Sequence, residues 1–208
     1  MMSRVVATVS SACCVVLLSA SVAAAQSSVF NGEFNTDVLG WNQLSAVTLT
    51  WDPTSDYASN PGSGSALVVN AQPGSANSGA TQCVNGIQGG ESYDLSAWLL
   101  APTGQSASGH SLVFVWWYSQ ADCADFLSLG PGTAWLFTSD TWVEHSVQGE
   151  PAPPGAASAI VYLNVVKESN TPGSYQVSFD HVLFQVTGTI FIDGFDTGDH
   201  SVWSAVAP

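Results

Sequence analysis

Basic side chains are almost absent from this chain of 208 residues. It contains two Lys and Arg residues against 16 Asp and Glu residues, which gives a formal net charge of −14. Arg4 is one of the two, so beyond residue 25 only Lys167 opposes the acidic side chains and the formal charge is −15. Such a surface repels nucleic acid phosphates and anionic membranes, and it is compatible with neutral glycans and with Ca²⁺. Because 46% of the residues are hydrophobic and only 9% are charged, the composition argues against a disordered chain.

Catalytic motifs are missing as well. The sequence has no G-x-S-x-G nucleophile elbow, no H-E-x-x-H zinc motif and no phosphate-binding loop. A glycosidase needs two carboxylates on either side of a cleft, and among 16 acidic residues the sequence singles out no such pair. The four histidines are isolated from one another: His110, His145, His181 and His200. We therefore predict that the protein is not an enzyme.

The one notable apolar run lies at the N-terminus. Arg4 supplies a positive charge, and a stretch of small and apolar residues from Cys14 to Ala25 ends in an A-x-A cleavage site. The run is too short to span a membrane, and no later run approaches the roughly 18 residues that a span needs. We predict that residues 1–25 are a signal peptide and that the protein is secreted, either extracellular or periplasmic. Cys13 and Cys14 leave lipoprotein processing open as a less favoured alternative.

Two cysteines remain beyond the predicted signal peptide, Cys83 and Cys123. In an exported chain a single pair indicates a disulfide, so we predict that these two are bonded. Two free buried thiols are the alternative. Their spacing does not match a zinc site.

A two-residue period of apolar side chains, the signature of β-strands, runs through most of the chain. Pro- and Gly-rich turns separate the periodic stretches, and no stretch beyond the signal peptide has a helical period of useful length. We predict strands over residues 46–51, 65–70, 93–100, 111–118, 135–138, 142–147, 159–166 and 175–184. Many short strands with such turns predict an all-β fold, a two-sheet antiparallel β-sandwich or jelly roll.

The same period assigns tryptophans to strand faces. In the predicted strand 93–100, Trp98 lies on the face opposite Leu95 and Ala97, so it faces outward if those two are in the core. Trp116 and Trp117 are neighbours, so they point to opposite faces, and one of them must leave the core.

Two short motifs at the ends of the predicted domain carry a resemblance. Asn31-Gly32-Glu33-Phe34 stands near its start, Asp180-His181-Val182 stands near its end, and a polar, Trp-rich stretch lies between them. Together they resemble the CenC-type carbohydrate-binding modules of families 4, 9 and 22, which are galactose-binding-like jelly rolls. The likeness covers about residues 29–186. It implies a module that binds sugar and does not cleave it.

The resemblance also implies a structural Ca²⁺ where the first and last strands meet, since a hard cation takes about 6 to 8 oxygen ligands. The chain departs from the family pattern at two positions: Asn35 stands in place of a Glu, and His181 in place of an Asp or Asn. The implied ligands are Asp180, Glu33, Asn35 and Asn31.

Sugar binding needs flat aromatic platforms together with a few fixed polar groups. The candidates are Trp98, Trp116 and Trp117 on an open sheet face, and Trp51 and Tyr57 in a platform at a loop end. For each of them packing within the fold is the alternative. We expect the partner to be a neutral polysaccharide or a cell-surface glycan, and the protein to be a monomer.

The predicted organisation is therefore a signal peptide (1–25), a β-sandwich module (26–186) and a C-terminal tail (187–208). The tail resembles the acidic and aromatic tails of many secreted bacterial proteins; it is either a sorting or docking tag, or an extra edge strand or the start of a further domain. Two other functions stay open for the module. The first is an extracellular structural or adhesion protein without sugar binding, and the second is an accessory protein of a glycoside hydrolase.

Overall fold

The computed structural model describes residues 29–45, 47–72, 78–168 and 172–188. The predicted signal peptide and nearly all of the predicted tail lie outside the described residues. Within these ranges the only helical element is a 3₁₀ turn at Ala121–Cys123, and no helix is long and apolar enough to cross a membrane.

Ten strands in two antiparallel sheets of five form the domain. They are β1 (Asn42–Gln43), β2 (Val47–Asp52), β3 (Ser65–Asn70), β4 (Gly79–Asn85), β5 (Ser92–Ala101), β6 (Gly109–Tyr118), β7 (Phe126–Gly132), β8 (Ser139–Pro151), β9 (Ser158–Lys167) and β10 (Tyr175–Val186). The first sheet has the order β1-β4-β9-β6-β7, and the second has the order β2-β3-β10-β5-β8. The predicted all-β sandwich is confirmed.

The core lies between the two sheets and is made by alternate residues of each strand. From β6 it takes Val113, Val115 and Trp117, while the second sheet contributes Tyr93 and Phe184, whose rings lie 5.7 and 5.8 Å from that of Trp117. Each fully buried side chain of this size contributes about 1.5–3 kcal/mol of burial free energy. Apolar burial between the sheets therefore dominates the stability of the domain.

The start of the domain packs against its last strand. Val182 of β10 donates its N–H to the carbonyl oxygen of Gly32 at 3.0 Å, and a Cβ on Gly32 would lie only 2.2 Å from the carbonyl oxygen of Val182. Phe34, two residues on, is fully buried, and Trp51 of β2 donates its indole Nε1–H to the carbonyl oxygen of Phe34 at 2.7 Å. The two end motifs therefore lie side by side, as the sequence predicts for a jelly roll.

The strand predictions fail at four places. The sequence does not predict β1, β4 or β7, and the predicted strand 135–138 forms only an isolated bridge between Leu136 and Ser111. β7 contains a Gly-Pro-Gly sequence that is typical of turns, but it is an edge strand, and edge strands tolerate proline. Gly130 is needed within β7 because a Cβ there would lie 2.5 Å from Nε1 of Trp117.

The predicted disulfide is confirmed. Cys83 of β4 is bonded to Cys123 of the 3₁₀ turn. Next to the disulfide, the side chain of Asn85 makes two hydrogen bonds with Asp122: it donates to the carboxylate at 2.9 Å and accepts from the backbone N–H at 2.7 Å. The backbone N–H of Cys123 also donates to the hydroxyl of Ser158 at 3.1 Å. The segment 119–125 is therefore fastened to both β4 and β9.

We predict that the double variant Cys83→Ala, Cys123→Ala has a lower free energy of unfolding than the wild type. The disulfide joins residues separated by 40 positions, and closing a loop of that length stabilises by about 4 kcal/mol in the chain-entropy model. Urea denaturation with and without a reducing agent measures the effect. Reduced wild type should match the variant, and a variant as stable as the oxidised wild type would contradict the prediction.

Candidate functional site

The outer face of the first sheet carries a set of neighbouring aromatic side chains. Along β6 the residues between the core positions point away from the second sheet and are half-buried: His110, Leu112, Phe114, Trp116 and Tyr118. We define the aromatic face as the part of this surface formed by Phe114, Trp116, Tyr118, Phe126 and Tyr162.

One row of side chains crosses four of the five strands of the first sheet. Phe114 of β6 pairs with Tyr162 of β9, Tyr162 with Thr81 of β4, and Thr81 with Asn42 of β1. The rings of Phe114 and Tyr162 are stacked, with centroids 4.6 Å apart and an interplanar angle of 12°. The row extends over three interstrand spacings, about 14 Å, and passes from two aromatic residues to two polar ones.

A second, more exposed set of apolar groups lies beside this row. The Trp116 ring lies 4.7 Å from that of Tyr162 and 5.7 Å from that of Phe126, which it meets edge-on. Leu129 of β7, which pairs with Trp116 of β6, is 69% exposed, and Phe126 is 55% exposed. Contiguous apolar surface of this kind is typical of a binding site.

The other end of β6 carries a smaller aromatic group. His110 stacks on Trp135 with ring centroids 4.6 Å apart, and Phe137 lies 5.8 Å from His110. Between them Leu136 is buried and exchanges two backbone hydrogen bonds with Ser111, both at 2.8 Å. Leu136 thus fixes the segment to β6 and leaves Trp135 (60% exposed) and Phe137 on the outside.

Burial shifts the pKa values of Tyr162 and His110 on this surface in the direction that favours their neutral forms. Burial, with a smaller contribution from the neighbouring Tyr118 hydroxyl, raises the pKa of Tyr162 well above its usual value. Burial also lowers the pKa of His110, against a weaker opposing effect of Glu168. The face thus offers neutral rings and phenol hydroxyls, which both donate and accept hydrogen bonds.

The disulfide borders the aromatic face. Cys83 lies on the outer side of β4 opposite Ile160, and Ile160 lies opposite Trp116. Because Cys123 is bonded there, the segment 119–125 is anchored to the same outer surface, next to the row through Trp116. The disulfide therefore fixes one border of the candidate site.

The predicted sugar-binding residues are divided between three places. Trp116 lies on the aromatic face, whereas Trp117 is in the core and only 2% exposed, so the prediction that Trp117 contacts a ligand is corrected. Trp98 and Tyr57 lie together on the outer side of the second sheet, with ring centroids 5.1 Å apart. Trp51 is half-buried, packs against the core and gives its only donor to the backbone of Phe34, so it serves the fold.

The loop between β2 and β3 covers Asp180 on the second sheet. Asp180 is completely buried, and its two carboxylate oxygens accept the backbone N–H groups of Tyr57 at 3.1 Å and His181 at 2.8 Å. Burial raises the pKa of Asp180 to about 7; these two hydrogen bonds lower it, and the nearby charges of Asp56 and Glu33 raise it further. The second hydrogen bond spans an irregularity in β10 where His181 has a φ of +44°.

The other implied calcium ligands are engaged elsewhere. Glu33 lies 2.6 Å from Nδ1 of His181, and Asn35 accepts a hydrogen bond from the hydroxyl of Ser63 at 3.1 Å. The amide of Asn31 donates to Asp37 at 2.9 Å. Among the described residues no three His, Cys, Asp or Glu side chains are grouped to hold a metal ion. Of the implied ligands, Asp180 and Glu33 carry carboxylates, and calcium binding stays a prediction of the resemblance.

The sequence prediction missed most of the aromatic face. Five aromatic side chains on or beside it were not among the predicted sites: Phe114, Tyr118, Phe126, Tyr162 and Phe137. The sequence could have indicated Phe114 and Tyr118, because both share the two-residue period of Trp116 along the same strand. Tyr162 and Phe126 reach the face through strand pairing, which the sequence does not specify.

Solved structures with this arrangement of strands are known. The C-terminal family 22 carbohydrate-binding module of Clostridium thermocellum xylanase 10B matches with a TM-score of 0.51 and 20% identity, over 77% of this chain and 97% of that one. A family 4 carbohydrate-binding module matches with a TM-score of 0.52 and 14% identity, over 77% and 100% of the two chains.

The fold is that of the family 22 and family 4 carbohydrate-binding modules. A two-module structure of the same xylanase, with a family 22 module joined to a catalytic one, matches with a TM-score of 0.54 and 21% identity over 76% of this chain. The chain spans only 28% of that longer protein. A scan against protein-family models and a search of curated proteins find no match. At these identities the likeness establishes the jelly roll.

The raised pKa of Asp180 predicts a pH-dependent stability in the presence of EDTA. A carboxyl group whose pKa is raised from 3.8 in the unfolded chain to about 7 in the jelly roll favours folding in its protonated form. Its contribution is complete below pH 3.8 and is lost as the pH rises through about 7, at up to about 1.4 kcal/mol per pH unit. Asp180→Asn should be less pH-dependent over this range in urea denaturation. Equal slopes for wild type and variant would contradict the assignment.

The resemblance predicts that Ca²⁺ raises the melting temperature of the wild type. A cation bound only by the folded protein adds about 2.7 kcal/mol when its concentration is about 100 times its Kd. Melting curves in Ca²⁺ and in EDTA measure the effect, with Asp180→Asn as the variant that should not respond. Identical curves for the wild type would contradict the predicted calcium site.

Proposed function

We propose that the chain is a non-catalytic carbohydrate-binding module that holds a neutral polysaccharide on its aromatic face. The observation that supports this most directly is the row from Phe114 through Tyr162 to Thr81 and Asn42, which joins stacked rings to polar groups across the first sheet. Sugar rings have flat C–H faces that stack on aromatic rings and hydroxyls that need polar partners. The row supplies both.

The solved structures of similar fold support the same function. One family 22 module binds its ligand in a cleft, and the two-module xylanase forms a complex with xylohexaose. The aromatic face has the exposed apolar area that a stacked sugar chain would cover, including Phe126 and Leu129. We propose a neutral polysaccharide of this general kind as the ligand, held by Trp116, Phe114 and Tyr162.

The electrostatics favour a neutral ligand over an anionic one. With a formal charge of −15 beyond residue 25, the protein repels polyanions such as nucleic acids and acidic polysaccharides. The aromatic face itself carries neutral rings and phenols, so stacking and hydrogen bonding provide the affinity. We further propose that the module is secreted and acts as a monomer.

We predict opposite effects for the neighbouring variants Trp116→Ala and Trp117→Ala. Trp116→Ala should weaken binding to soluble xylan or another neutral polysaccharide by at least about tenfold, as for a central aromatic contact, and lower stability by about 1 kcal/mol. Trp117→Ala should lower the free energy of unfolding by about 3–5 kcal/mol, because it opens a cavity in the core.

Isothermal titration calorimetry on a panel of neutral polysaccharides and urea denaturation measure the two effects. Trp98→Ala, on the opposite sheet, is the matched control and should leave binding to the aromatic face unchanged. A folded Trp116→Ala variant that binds as well as the wild type would contradict the proposed site. Absence of binding by the wild type across the panel would favour the structural or adhesion function.

A further inference from the structure

We propose a second sugar-binding site on the opposite side of the domain, in a cavity of about 390 Å³ between the loop 53–61 and Trp142 of β8. It would hold a single neutral sugar residue. The cavity lies within the size range of small-molecule sites, roughly 300–1,000 Å³.

The register of β8 places Trp142 on the outer side of the second sheet. Glu144 pairs with Trp98 and Val143 with Leu99 of β5. Leu99 is fully buried in the core, so Val143 points inward, and Trp142 and Glu144 point outward. This surface faces away from the aromatic face, because the two sheets lie back to back. The cavity therefore shares no residue with the site on the first sheet.

Hydrogen bonds within the loop hold its polar groups in place. Asp56 accepts the backbone N–H of Asn60 through Oδ1 at 2.7 Å, and its carbonyl oxygen accepts the N–H of Ser59 at 3.2 Å. Ser63 at the end of the loop donates its N–H to the carbonyl oxygen of Asn60 at 3.2 Å and its hydroxyl to Asn35. These bonds constrain the loop before any ligand arrives.

Several groups that line the cavity have capacity left for a ligand. Among the described residues, the side chains of Ser55, Ser59 and Asn60 make no hydrogen bond, nor does the second carboxylate oxygen of Asp56. They stand in the same cavity as the indole of Trp142. A sugar that stacks on the indole could donate hydroxyl protons to Asp56 and exchange hydrogen bonds with the serines and the amide.

Charge narrows the class of sugar. No Lys or Arg lines the cavity, and Asp56 contributes a negative charge. An acidic sugar would meet an unpaired carboxylate, whereas a neutral sugar can use the same carboxylate as a strong acceptor. The matched pair D-glucose and D-glucuronate separates these two classes.

The test is a titration of the wild-type chain with D-xylose, D-glucose, D-galactose, D-mannose and D-glucuronate, followed by NMR at the indole N–H of Trp142. Trp142→Phe assigns that signal. If Trp142→Phe does not fold, sequential backbone assignment from Val143 to Trp142 identifies the indole signal instead. We expect a saturable shift with at least one neutral sugar and weaker binding of D-glucuronate than of D-glucose.

Two variants locate the site. Asp56→Asn keeps Oδ1 as the acceptor for Asn60 but replaces the free carboxylate oxygen with an amide, and it should weaken binding by about tenfold or more. Trp116→Ala, on the aromatic face, should leave the Trp142 shift unchanged. The proposal fails if no neutral sugar shifts the Trp142 signal saturably, if D-glucuronate binds as well as D-glucose, or if Asp56→Asn binds like the wild type.

This proposal and the proposed function can fail separately. Loss of the Trp142 shift in a folded Trp116→Ala variant would assign all binding to the aromatic face and overturn the second site. Binding at Trp142 without any polysaccharide binding at Trp116 would keep the second site and overturn the first.

Discussion

The alternation of side chains along β6 is the constraint on which the rest of the structure depends. Val113, Val115 and Trp117 point into the core, and between them Phe114 and Trp116 point outward. A slip of one residue would exchange the two sets, burying the outer aromatics and exposing the core. Pairing with β9 over ten residues, from Gly109 to Tyr118, prevents such a slip. The stability of the sandwich and the candidate binding surface therefore come from one strand, and the register of that strand fixes both.

This alternation also explains how far the sequence could predict the site. Because Trp116 and Trp117 are adjacent, the sequence predicts that one leaves the core, but not which one. Contacts with other strands decide which one is buried. Gly130 of β7 leaves room for the Trp117 indole, and Tyr93 and Phe184 of the second sheet contact it. Most strands follow from local periodicity. β4 and β7 do not, since one is largely polar and the other contains a turn-like sequence stabilised by strand pairing.

The two outer faces differ because of one loop. On the second sheet the segment between β2 and β3 folds over the strands, buries Asp180 and brings Tyr57 onto Trp98. Trp98 was correctly expected to face outward, yet its surface is partly taken by that loop. Sequence periodicity reports the side of a strand on which a residue lies. Whether a loop covers that side depends on contacts over long sequence separations, such as the 123 positions between Tyr57 and Asp180, and periodicity contains no information on them.

If the aromatic face binds sugar as proposed, the acidity of the chain and the neutrality of that face act together on specificity. A binder discriminates by the difference between two affinities, and repulsion of the wrong partner contributes as much as attraction of the right one. Polyanions are disfavoured at long range by the net charge, and the effect weakens beyond a Debye length of about 8 Å at physiological salt. The neutral polysaccharide that we propose as the ligand would experience no such field, so contact with Phe114, Tyr162 and Trp116 would decide its affinity. Under the proposed function, shape and stacking would therefore select among neutral polysaccharides, because charge repulsion already disfavours the polyanions.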